Sequence, residues 1–111
     1  MKIGRDADTI ARQRAALRQE YGELFDRIAA ALFEADPIHI NFETNTDEYE
    51  PEAETILPRL HTATTVDDVE RIVHEEFCRW FDAGMAGPRE KYRPVAETIW
   101  NLWRTFQERS N

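Results

Sequence analysis

Val95, Ile99, Leu102, Trp103 and Phe106 follow one another at steps of four, three, one and three. That spacing puts all five on one face of an α-helix and on no single face of a strand. The pattern recurs twice upstream. Ile10, Leu17, Leu24 and Ala31 repeat every seven residues, with Tyr21, Phe25, Ile28 and Leu32 filling the same face. Val66, Val69, Val73, Phe77, Trp80 and Phe81 line another face, with Ile72 at its edge. Each stripe has to be covered, and in 111 residues the cover has to come from the other helices around one shared core.

Local signals divide the chain. Asp6 or Asp8 suits the N-cap of the first helix, and Asp36-Pro37 stops it, because proline disfavours the helical region for the residue before it. Ile38, Ile40 and Phe42 then alternate with His39 and Asn41, as in a short extended segment, and Asn45, Thr46 and Asp47 read as a turn. Pro51 suits the first position of a second helix, with Glu50, Glu52 and Glu54 near its positive end and Pro58 limiting its length. Thr65 and Asp68 form an approximate capping box at the start of the third helix. Ala83–Gly87 reads as a flexible connector, and Pro88 or Pro94 as an early residue of the last helix. The expected fold is all-α. It is one domain over 1–111, a compact bundle of about four helices (8–34, 51–61, 65–82 and 88–108) with one irregular acidic loop between the first and second.

Charge is segregated. The net charge is −8, yet no Lys or Arg lies between Arg27 and Arg59, where eight acids fall: Glu34, Asp36, Glu43, Asp47, Glu48, Glu50, Glu52 and Glu54. The remaining fourteen acids balance the fourteen bases. A surface of this sign repels phosphate, which argues against nucleic acid and anionic membranes as partners and favours a basic protein. Cys78 is the single cysteine, so no internal disulfide forms. No signal-peptide pattern and no run of ~20 apolar residues is present, and a reducing cytoplasm is the expected compartment.

Three constellations bear on chemistry. His74 and Cys78 sit four apart on the third helix, a spacing that suits a shared metal or a thiol with its base, with His61 or Glu75 as further ligands. Two zinc ligands are too few, and no phosphate loop, nucleophile elbow or paired-histidine motif accompanies them. Asn45, Asp47 and Glu50 offer oxygen ligands to calcium, but the glycine and terminal glutamate of a helix–loop–helix site are missing. The third is a recognition surface, in which Asp47, Glu48, Glu50 and Glu52 steer a basic partner while Phe42 or Tyr49 anchors it; the alternative is that Phe42 and Tyr49 pack into the core while the acids face water beside a helix dipole.

The runs Glu34-Ala35-Asp36-Pro37-Ile38, Asp47-Glu48-Tyr49-Glu50-Pro51-Glu52 and Ile56-Leu57-Pro58-Arg59-Leu60, followed by Phe77-Cys78-Arg79-Trp80-Phe81, resemble a group of small bacterial domains of unknown function. These domains carry an Asp-Pro helix end, a Tyr-x-x-Glu turn into a helix, and a helix that ends in an aromatic-rich segment. The likeness covers about Leu32 to Leu102. It implies a compact helical fold, no activity, and a structural role for Asp36, Pro37, Tyr49 and Glu52. Bacterial toxin-neutralising immunity proteins share the size and acidity, by analogy and without a motif. The leading expectation is a non-enzymatic module that binds a basic protein, with no cofactor and no metal. The alternatives are a metal- or thiol-dependent enzyme built on His74 and Cys78, and a structural subunit that associates through the Trp100 flank.

Overall fold

Gly22 divides the first stripe. Its φ of 61° lies in the left-handed region open to glycine, and its N–H closes onto the Arg18 carbonyl at 2.8 Å. The chain, seen in a computed structural model that describes residues 7–37 and 49–110, therefore has two helices where one was expected over 8–34. These are α1 (Ala7–Tyr21) and α2 (Leu24–Ala35). The apolar repeat runs through the break because Tyr21 and Leu24 stay buried on either side of it.

α2 ends where proline predicted. Asp36 turns left-handed (φ 44°, ψ 58°) and its N–H bonds the Leu32 carbonyl. The extended segment expected at Ile38–Phe42 and the turn at Asn45–Asp47 lie outside the described residues. The described chain resumes at Tyr49. α3 (Glu50–Ile56) has Pro51 in its first turn and tightens into a 3-10 turn at Leu57–Thr62, within which Pro58 sits. α4 (Val66–Phe81) opens on a complete capping box. Asp68 N–H donates to the Thr65 hydroxyl at 3.1 Å, and the Asp68 carboxylate accepts from the Thr65 and Thr64 amides at 3.2 and 2.9 Å. Aspartate fills the place usually taken by glutamate, and its bonds to Thr64 hold its carboxyl below the ordinary range.

The stretch read as a flexible connector is helical. Asp82 adopts φ 104°, and its carboxylate accepts from Met85 N–H at 2.8 Å to start the one-turn α5 (Ala83–Ala86). A 3-10 turn at Arg89–Tyr92 leads into α6 (Arg93–Ser110). Six α-helices thus replace the four expected among the described residues, which contain no strand. The additional ones arise from the break at Gly22 and the turn at Asp82.

α2 and α4 both pack on α6, and α3 lies against both α2 and α4. Phe25, Ile28 and Leu32, Ile72 and Phe77, and Ile99 and Trp103 meet in the core between them. α1 is held differently. Of its stripe only Tyr21 is buried, while Ile10 and Leu17 stay half-exposed. Two of its arginines reach across instead: Arg14 to Glu50 at 3.0 Å and Glu54 at 2.9 Å, and Arg18 to Asp26 at 2.9 Å and Glu50 at 3.5 Å. No described helix is long and apolar enough to cross a membrane.

Candidate functional site

The acidic segment follows α2 at Asp36-Pro37, and the described chain resumes at Tyr49. Tyr49 is completely buried, its ring lies 5.8 Å from that of Phe77, and its hydroxyl donates to Asp36 Oδ1 at 2.6 Å. One hydrogen bond therefore joins the two ends of the acidic segment, and Pro37 is buried beside it.

This placement corrects part of the expected recognition surface. Tyr49 and Glu52 are both 0 % exposed, so a partner docking on the folded chain does not touch them. Tyr49 is a core aromatic rather than an anchor, and Glu52 is an interior carboxylate in the first turn of α3 rather than a steering charge. Glu50 is held by Arg14 and Arg18, and Glu54 by Arg14. The local sequence around these acids holds no base, because their arginines arrive from α1, forty residues upstream in the case of Glu54. Of the described acids in the base-free stretch, Glu34 faces solvent. Phe42, Asp47 and Glu48 lie outside the described residues.

Elsewhere, carboxylates and arginines knit the helices together. Glu76, 2 % exposed, accepts from Arg59 at 2.8 Å and from Arg79 at 3.3 Å. Glu75 takes the other branch of Arg59 at 2.6 Å, which holds its carboxyl below the ordinary range. Glu70 is bonded by Arg89 at 2.6 Å and approached by Arg93 at 3.6 Å. Buried charges are tolerated only when paired, and the Arg59 and Arg89 pairs cross between elements, fixing α4 to the 3-10 turns on either side of it.

His74 and Cys78 do lie together, with Nε2 3.5 Å from Sγ, and Cys78 is half-buried. The same Nε2 is 3.0 Å from the Gly87 carbonyl. A carbonyl only accepts, so Nε2 carries a proton directed at Gly87, and a neutral ring then has no lone pair there to take the thiol proton. Beside it the Tyr92 hydroxyl donates to the Ala86 carbonyl at 2.5 Å. The two side chains together hold the α5 exit, where Gly87 takes φ 78°. The other ligands considered for a metal are engaged elsewhere: His61 Nε2 is 3.0 Å from the Tyr21 hydroxyl, and Glu75 meets Arg59. Among the described residues no three His, Cys, Asp or Glu side chains gather around a common point.

Burial, and secondarily Cys78, push the Tyr92 phenol up to about 12. The unfolded chain ionises this group first, near the ordinary phenol value of 10.0, so stability is intact below pH 10 and declines as pH rises toward 12. The expected loss from this group is about 2 kcal/mol. Urea titrations at stepped alkaline pH, compared with Tyr92→Phe, check it: the variant should show a shallower alkaline decline.

The structure also contains a concavity that the sequence pattern did not announce, between the start of α2 and the last turns of α6. Its volume is about 380 Å³; Tyr21, Leu24, Leu102 and Phe106 line it, with Arg27 and Arg109 beside them. Leu102 and Phe106 belong to the α6 stripe yet are only half-buried, because the groove opens over them. No family model, curated protein or solved structure matches this chain. Its function has to be read from its own residues.

Proposed function

We propose that this protein is a non-enzymatic interaction module that engages a basic protein surface through the acidic segment between Pro37 and Tyr49. An immunity-type inhibitor of a cationic toxin is one concrete form. The observation that carries the proposal is the Asp36–Tyr49 bond at 2.6 Å. Joining the ends of a segment at a buried stem removes part of the chain entropy that binding would otherwise cost. That segment, residues 38–48, contains Glu43, Asp47 and Glu48 and no Lys or Arg. Glu34 faces solvent on the last turn of α2 just before it. The steering charges are thus Glu34, Glu43, Asp47 and Glu48, with Phe42 as the anchor. Glu50 and Glu54 serve the fold. Complementary charge acts mainly on encounter rate and partner choice.

The test compares two triple variants of equal net charge, binding an oligo-arginine peptide at low and at physiological ionic strength. Glu43→Gln/Asp47→Asn/Glu48→Gln should weaken association roughly tenfold at low salt and flatten its salt dependence. Glu90→Gln/Glu97→Gln/Glu108→Gln should have a much smaller effect. Equal losses in the two variants would show that only net charge matters, and the proposal would be wrong.

A further inference from the structure

We infer that the α2–α6 groove is a binding site for a small molecule that joins an apolar body to one carboxylate, a site separate from the acidic segment. Three observations converge on it. The first is shape. A cavity of about 380 Å³ falls within the range of small-ligand sites, which are concave, largely apolar and provided with a few polar groups. The second is a firm apolar floor. Tyr21 and Leu24 are 6 % and 5 % exposed, and the Tyr21 ring packs 5.6 Å from Phe106, which in turn stacks on Trp103 at 5.7 Å. A ligand here meets side chains already fixed by the core, so little ordering is left for binding to drive.

The third observation is charge. The chain is acidic, and at its core pairs it matches arginine to carboxylate at 2.6–2.9 Å. The two arginines at the groove are not held in this way. Arg109 lines it and forms no ion pair among the described residues. Arg27 meets Glu23, the one carboxylate on the groove wall, at 3.5 Å with both side chains well exposed, a contact worth little and easily exchanged for a ligand carboxylate. Two guanidinium groups available beside an apolar floor select an amphipathic anion, and a carboxylate fits the guanidinium fork bidentately. Thr98, Asn101 and Thr105 fall at steps of three and four along α6, on the flank of the Leu102–Phe106–Arg109 row, and supply neutral hydrogen-bonding groups to the same wall.

The probes are 1-naphthaleneacetate and its neutral amide, which share shape and differ in charge, followed by backbone amide NMR shifts of the intact protein. The carboxylate should bind roughly tenfold more tightly than the amide, with shifts concentrated at Tyr21, Leu24, Leu102 and Phe106. Arg27→Gln and Arg109→Gln, both exposed positions, should erode that preference, and Thr105→Trp should block the groove. Equal affinity for acid and amide, shifts centred elsewhere, or no binding by the wild-type protein would each overturn the assignment. The shift map on unaltered protein decides even if a variant folds poorly. The acidic-segment variants described above should leave this binding unchanged.

Discussion

Replacing Tyr49 with alanine should destabilise the protein by about 3–5 kcal/mol, the range for removing a large, fully buried aromatic. The residue has no exposed surface, its ring lies 5.8 Å from Phe77, and its hydroxyl bonds Asp36 at 2.6 Å. The substitution therefore leaves a cavity in the core and frees one end of the acidic segment at once. Small domains of this size carry only about 5–15 kcal/mol in total, so the melting temperature should fall by on the order of 10–20 °C. Tyr49→Phe separates the two contributions. It keeps the ring and loses the bond, and because Asp36 is only half-buried, water replaces the phenol and the cost is about 1 kcal/mol. Thermal denaturation followed by far-ultraviolet circular dichroism checks both values. A surface anchor at this position would give an alanine variant with nearly unchanged stability.

Trp103→Ala is expected to cost a similar amount, again about 3–5 kcal/mol. Trp103 is 1 % exposed, lies nearly perpendicular to the His61 ring at 4.8 Å, and stacks on Phe106 at 5.7 Å. Its buried indole N–H has no hydrogen-bond partner among the described residues, so Trp103→Phe gives up packing volume but no hydrogen bond and should cost no more than about 1.5 kcal/mol. Trp100 is the contrast. It is half-buried, with the Arg104 guanidinium 5.7 Å from its ring, and Trp100→Ala should cost about 1 kcal/mol. Urea midpoints for the three variants give the ranking. If Trp100→Ala proved as costly as Trp103→Ala, the packing of α6 described here would be wrong.

Much of the helical framework was legible because its signals are local. The stripe from Val95 to Phe106, the capping box at Thr65 and Asp68, and the stop at Asp36-Pro37 each depend on residues within one or two turns of each other. Gly22 was missed because the seven-residue repeat continues in phase across it, so periodicity alone reads one helix. α5 was missed because Ala83-Gly84-Met85-Ala86-Gly87 has loop-like composition; the Asp82 carboxylate caps Met85 N–H, and the Ala86 and Gly87 amides close the turn onto the Asp82 and Ala83 carbonyls. The acidic surface was misjudged for a non-local reason: Arg14 and Glu54 are forty residues apart, and no window of sequence contains both. The groove was invisible for the same reason, since Tyr21 and Leu24 meet Phe106 and Arg109 only after α2 packs on α6. The spacing of His74 and Cys78 did place them together, but the Gly87 carbonyl that accepts the hydrogen bond from His74 Nε2–H comes from a connection thirteen residues later.

Tyr49 and Asp36 close the acidic segment at its stem. A double-mutant cycle on Asp36→Ala, Tyr49→Phe and the pair, each unfolded in urea, reads that contact by itself. The bond at 2.6 Å predicts that the double variant loses about 1 kcal/mol less than the sum of the two single losses. Strict additivity would mean that the two side chains do not interact in solution, and the closed stem would have to be given up.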